Sequence, residues 1–194
     1  MNEFDIDKIL EEISEPKLLF TRPELLICPN VPKPLHGVNP RTIMGTKKWN
    51  EKRREAYAKN NYHCWACGSY HAYDEQHLRF HDTKMDAHEF YSVNYELKTI
   101  ELIEIVSLCK TCHGYIHNGR LNGLFDKGEV DEQACWEIYT HGDSLLIDAG
   151  YPPYNYVDEK TYEDEWMDWR LIIGYYEHEP KLKSYKEWRE KYVK

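Results

Sequence analysis

Four of the six cysteines form two C-x-x-C pairs, Cys64/Cys67 and Cys109/Cys112. A turn of this kind presents two sulfurs to one ion without strain, and four thiolates suit tetrahedral Zn(II). Such a shell leaves no position for substrate, so the zinc would be structural. The intervening 41 residues exceed what a plain zinc ribbon needs, so the site is expected to pin the base of an inserted hairpin. Cys28 and Cys135 have no paired neighbours and read as ordinary thiols. His113 follows the last paired cysteine directly, and His117 lies four residues later. On a helix, positions i and i+4 face the same way and both imidazoles can reach one ion. The thiolates already fill the zinc site, so a second, harder metal is implied. His88 stands in Met85-Asp86-Ala87-His88-Glu89-Phe90, whereas His77 and His81 read as surface or hairpin residues.

Each of these groups needs an element to hold it. TKKWNEKRREAYAKN reads as a helix from Thr46 as N-cap, with Trp49, Arg53, Ala56 and Tyr57 on one face. Lys47, Lys48, Lys52 and Arg54 then face solvent, either as an ordinary solvated surface or as phosphate contacts. YHCWACGSYH is a knuckle turn, HLRFHDTKMDAHEFYSVNY suits a hairpin or irregular strand pair, and ELKTIELIEIVSLC is a strand or short helix. KTCHGYIHNG begins a second knuckle and continues into a short helix closed by Gly119. Upstream, residues 5–13 have helical spacing. Six of the nine prolines lie in the first 40 residues, which excludes a helix or central strand over CPNVPKPLHGVNPR and predicts an extended arm over the surface. Downstream, DEQACWEIYTHG reads as a helix from Asp131 to a stop at Gly142. KTYEDEWMDWRLIIGYY runs from an acidic helix into a strand, and SYKEWREKYVK is a helix with a Ser184/Glu187 capping box. Tyr154, Tyr156, Trp166 and Trp169 are expected to pack on the core.

The 194 residues carry a net charge of -9, with 41% hydrophobic and 14% aromatic residues. A mostly disordered chain is excluded. With no long apolar run and an acidic N-terminus, neither a membrane span nor a secretory leader is expected, and a cytoplasmic location follows. The acidic total argues against a broad nucleic-acid binder, but the charge is uneven. Residues 41–63 hold seven basic and two acidic groups, and residues 126–194 hold nine and seventeen. The one basic block directly precedes the first cysteine pair.

The C-x-x-C pairs, the histidine in Ala87-His88-Glu89 and the run LCKTCHGYIH together resemble the HNH, or His-Me finger, nucleases over about residues 50–120. PKPLHGVNPRTIMGTKKWNEKRREAYAKNNYHCWACG is also similar to the lead-in of bacterial and phage HNH proteins. The resemblance implies an α+β fold, with a small ββα-metal core and a four-cysteine zinc site. An N-terminal extended arm (1–45) and an acidic, mostly helical C-terminal extension (124–194) would wrap a nuclease domain at 46–123.

It further implies zinc on Cys64, Cys67, Cys109 and Cys112, and Mg(II) or another divalent cation on His113 and His117. The family's first strand commonly carries a metal ligand and then a base histidine. Here His88 is the base with Ala87 in the ligand position, or His88 is the ligand and Glu89 stands where the base belongs. An imidazole suits proton abstraction better than an ordinary carboxylate, which favours the first arrangement, with Glu89 or Asp86 supplying oxygen to the metal or orienting the ring. The family's middle asparagine falls on Glu104, which could orient His88, and Asn94 is the other candidate.

The implied activity is metal-dependent hydrolysis of phosphodiester bonds, in DNA before RNA, with Lys47, Lys48, Lys52 and Arg54 contacting nucleic acid. The alternative is a non-catalytic zinc-ribbon module that binds nucleic acid or a protein partner. The acidic C-terminal region could bind a partner, self-associate, or screen the site against indiscriminate DNA binding.

Overall fold

A computed structural model describes residues 16–71, 85–153 and 163–193. The helix expected at 5–13, His77, His81, Tyr154 and Tyr156 lie outside these residues. The architecture is mixed α+β around a four-stranded sheet of order β1-β2-β3-β4. Strands β1 (Met85–Asn94) and β2 (Thr99–Cys109) form an antiparallel hairpin with His88 opposite Val106. A register shift at Phe90/Tyr91 leaves Ile103 as the extra residue. Asn94 turns the chain between them, its Oδ1 accepting from the amides of Glu96 and Leu97 at 3.1 and 2.9 Å. That use of its side chain removes it as a substitute for the family asparagine. Strand β3 (Arg170–Ile173) adds parallel to β2, and β4 (Tyr176–His178) adds antiparallel to β3.

Helix α1 (Pro40–Lys59) starts earlier than its composition suggests. Asn39 caps it, accepting from the Thr42 amide at 2.8 Å, and Pro40 takes the first turn. Gly45 at φ +78° breaks it, so the expected helix from Thr46 is its second and longer part. Trp49, Ala56 and Tyr57 are buried as the spacing predicts. At its exit the fully buried Asn60 accepts from the amides of Leu19 and Phe20 and donates to the Phe20 carbonyl at 3.0 Å. One satisfied amide side chain thus ties the N-terminal arm to the helix.

The arm does not run over the surface. A 3-10 turn, Pro23–Leu26, inserts Leu25 and Leu26 into the main core with Trp65, Val106, Leu108 and Leu146. A second turn, Lys33–Leu35, places Leu35 in a smaller core with Ile100, Trp169 and Leu171. Prolines exclude long elements, but a 3-10 turn closes its own backbone hydrogen bonds and leaves leucines free to be buried. Each contributes roughly 1.5–3 kcal/mol.

The C-terminal part is equally built in. Helix α4 (Glu132–Asp148) is capped by Asp131 as predicted, but it passes straight through Gly142. That glycine is a point of close approach, since a Cβ there would lie 2.2 Å from the Tyr115 ring. Helix α5 (Tyr185–Tyr192) starts on Ser184, and Glu187 bonds back to the Lys183 amide. Its Trp188 Nε1 donates to His36 Nδ1 of the arm at 3.0 Å. Trp166 and Trp169 are buried as expected. Among the described residues, no helix is long and apolar enough to cross a membrane.

Candidate metal centres

Two ligand groups stand on either side of one short helix, α2 (Lys110–Ile116). Consecutive residues on a helix point about 100° apart. Cys112 therefore turns into the core while His113 turns toward a cleft.

The cysteine group is assembled from a knuckle and a strand-to-helix junction. In the knuckle the Cys64 amide donates to the Ser69 carbonyl, and the Trp65 amide donates to the Ser107 carbonyl of β2 at 2.8 Å. At the junction Cys109 ends β2 and caps α2, its sulfur accepting from the Cys112 amide. The four Sγ atoms lie within 4.8 Å of one another, with Cys67 to Cys109 at 3.9 Å. The edge of a ZnS4 tetrahedron with 2.3 Å bonds is about 3.8 Å. Hydrogen bonds from Cys109, then from Cys112 and Cys64, hold the Cys67 thiol far below its ordinary value, while contact with Cys109 pushes Cys64 and Cys112 up. Contact with Cys112, then Cys64, also lowers Cys109, to about 6, so two of the four thiols in contact favour the thiolate that a metal binds. The four cysteines are positioned to bind a metal ion. His141 of α4 adds a contact that their spacing does not announce. Its Nε2 lies 3.5 Å from Cys112 Sγ, and the hydrogen bond to Cys67 raises its pKa.

The histidine group joins β1 to the end of α2. Helix α2 stops at Ile116, and His117 sits at the joint with α3 (Asn118–Asp126) at φ -92°, ψ 48°. The two histidines therefore do not share one continuous helix, as their spacing predicts. Their rings still meet, with centroids 4.5 Å apart, because the His117 amide donates to the His113 carbonyl at 3.2 Å. His88 completes the group at 5.4 and 5.0 Å from His113 and His117, and one ring nitrogen from each of the three lies within 4.8 Å of the others.

Neighbours fix the rings. His113 Nδ1 is 2.9 Å from Asp86 Oδ2, and Lys110 Nζ holds the other carboxylate oxygen at 2.7 Å. Burial would raise the Asp86 carboxyl, but these partners outweigh it and hold it at about 2. His88 Nε2 is 3.3 Å from Cys28 Sγ, and its Nδ1 is buried without a hydrogen-bond partner. Burial, then the neighbouring histidines, lowers His88 to about 3; burial, then His113 and Arg120, lowers His117 to about 4. Both imidazoles are neutral at pH 7 with lone pairs available to a cation. The unpartnered nitrogen and the carboxylate behind His113 are compatible with a histidine-bound divalent ion.

A cleft of about 450 Å³ opens beside the group, lined by Cys28, His88, Glu89, His117, Asn118 and Arg120 among others. Burial raises the Glu89 carboxyl there, opposed by its own backbone amide, His113 and Arg41. A smaller cleft of about 230 Å³ lies on the other side, with Asp86, Lys110 and His113; His117 and Arg120 line both.

Glu104 does not orient His88. Its carboxylate is taken by Arg22 and, at 3.7 Å, by Lys59, so the charge of the arm and of α1 satisfies it locally. Asp86 is a positioning group, but for His113. Lys47, Lys48, Lys52 and Arg54 are exposed on α1 as predicted, and none lines either cleft. The cation between the clefts is Arg120, three residues after His117, a spacing that could have been read. Cys28 and His141 carry no such signal. No family model, curated protein or solved structure matches this chain.

Proposed function

We propose that the protein is a metal-dependent phosphodiester hydrolase of the HNH type acting on nucleic acid, DNA foremost, with structural zinc on Cys64, Cys67, Cys109 and Cys112. One observation carries the reading: a strand histidine and two histidines flanking a helix end form a three-nitrogen group, with a carboxylate behind one of them. Of the two roles open to His88, its place in that group favours the ligand, which leaves Glu89, next on β1, as the proton acceptor.

When bound, a divalent ion would stabilise charge developing on the scissile phosphate and the leaving oxygen, and three neutral imidazoles suit a first-row ion such as Mn(II) better than the oxygen-seeking Mg(II). His88, His113 and His117 would hold it. Asp86 accepts from His113 Nδ1 and keeps the opposite nitrogen directed into the group. Glu89, its carboxyl raised by burial, is suited to take a proton from attacking water at Oε. Arg120, lining both clefts, would bind phosphate oxygens and register the strand across them.

Plasmid nicking with Mg(II) or Mn(II) tests the reading. The zinc-loaded protein should convert supercoiled DNA to open circles, and Glu89→Gln should lose roughly 100-fold or more. Wild type that cuts neither DNA nor RNA with either metal would overturn the nuclease proposal.

A further inference from the structure

The buried surroundings of His88 determine which of its nitrogens can face an ion. The residue is 4% exposed, and its two ring nitrogens are in unlike positions. Nε2 lies 3.3 Å from the sulfur of Cys28, itself 5% exposed, whereas Nδ1 has no hydrogen-bond partner. If the thiol donated to Nε2, the ring proton would sit on Nδ1 as a buried donor with nothing to accept it. If Nε2–H donates to the sulfur, Nδ1 presents a bare lone pair, and a cation is what completes it. Cys28 lies outside the three-nitrogen group, so it is not a further ligand.

We propose that Cys28 is a positioning residue: its sulfur accepts from His88 Nε2 and fixes the tautomer in which Nδ1 faces the divalent ion. Asp86 does the same for His113 by holding Nδ1, so that Nε2 faces inward. The two rings thus offer opposite nitrogens to one ion. This inference rests on the reading of the three histidines as a metal site.

The test uses full-length protein carrying one equivalent of Zn(II), titrated with Mn(II) and followed by the EPR signal of the free ion. Mn(II) lies at the weak end of the divalent series and leaves thiolate-bound zinc in place. Wild type should bind one Mn(II), Cys28→Ala should bind it about 10- to 100-fold more weakly, and Cys28→Ser should recover part of the loss. Long-range ¹H–¹⁵N spectra of the Mn(II)-free wild type should show the His88 proton on Nε2, a readout that survives if Cys28→Ala fails to fold. A proton on Nδ1, or equal Mn(II) affinity in folded Cys28→Ala, would overturn the role of Cys28. Wild type that binds no Mn(II) would instead overturn the metal site itself, and the inference with it.

Discussion

The cysteine and histidine groups meet at adjacent residues of one helix, Cys112 and His113, yet their surroundings are opposite. Cys112 is fully buried among three other sulfurs, with α4 packed over it and His141 against it. His113 faces a cleft, backed by Asp86, with open space on both sides of His117. A shell closed by core packing can only stabilise, whereas one left open on a cleft can admit a substrate. The roughly 100° between neighbouring helical residues is enough to send one ligand group into the core and the other to a cleft.

The largest expected effect breaks the comparison most directly. Cys109→Ser should abolish the cooperative melting transition, because zinc binding of this kind supplies on the order of 10 kcal/mol to folding. His117→Ala should melt normally and lose nicking activity. Equal thermal damage from both, seen by calorimetry, would mean that the two groups are one structural unit.

Next is the packing that closes the cysteine side. Gly142→Ala drives a methyl group into the Tyr115 ring and should cost about 1–3 kcal/mol in urea denaturation. The effect should appear as reduced stability with unchanged Mn(II) affinity at the histidines. A change in that affinity would show that α4 also shapes the open side.

Acid should sharpen the contrast from the histidine side. His88 titrates at about 3 in the folded protein and near 6.5 when unfolded, so below about pH 6.5 the unfolded state binds the extra proton. The stability it contributes is fully present above that pH and is lost as pH falls toward 3, with a slope approaching 1.4 kcal/mol per unit. Urea midpoints of the protein with one zinc equivalent, at pH 7 and pH 5, should show this fall, and His88→Gln should remove only about half of it, because His117, held at about 4, contributes in the same direction.

The smallest effect concerns α1, whose Lys47, Lys48, Lys52 and Arg54 line neither cleft. Reversing Lys47, Lys48, Lys52 and Arg54 should lower the salt slope of DNA binding by about one for each phosphate no longer neutralised, while leaving stability and metal affinity unchanged. An unchanged slope would leave Arg120 and its cleft as the nucleic-acid surface.

How far each group could be read in advance follows from the range of its interactions. C-x-x-C spacing is local chemistry, as are the histidine four residues beyond His113, the apolar face of α1, and the Asp131 and Ser184 caps, so the sequence determined them. Local rules favour a continuous helix through His117 and a stop at Gly142; the chain instead breaks at His117 and stays helical through Gly142, where long-range packing overrides the local rule. Gly142 is needed for the approach of Tyr115, a residue 27 positions away in the chain. Position alone assigns Glu104 to His88, while Arg22, 82 residues away, holds it. The arm hides its leucines behind its prolines. Cys28 beside His88 and His141 beside Cys112 join residues 60 and 29 apart. Sequence alone therefore supplied the candidate ligands. Tertiary packing decided which neighbour each one has and how deeply it is buried, because those depend on partners that no local pattern encodes.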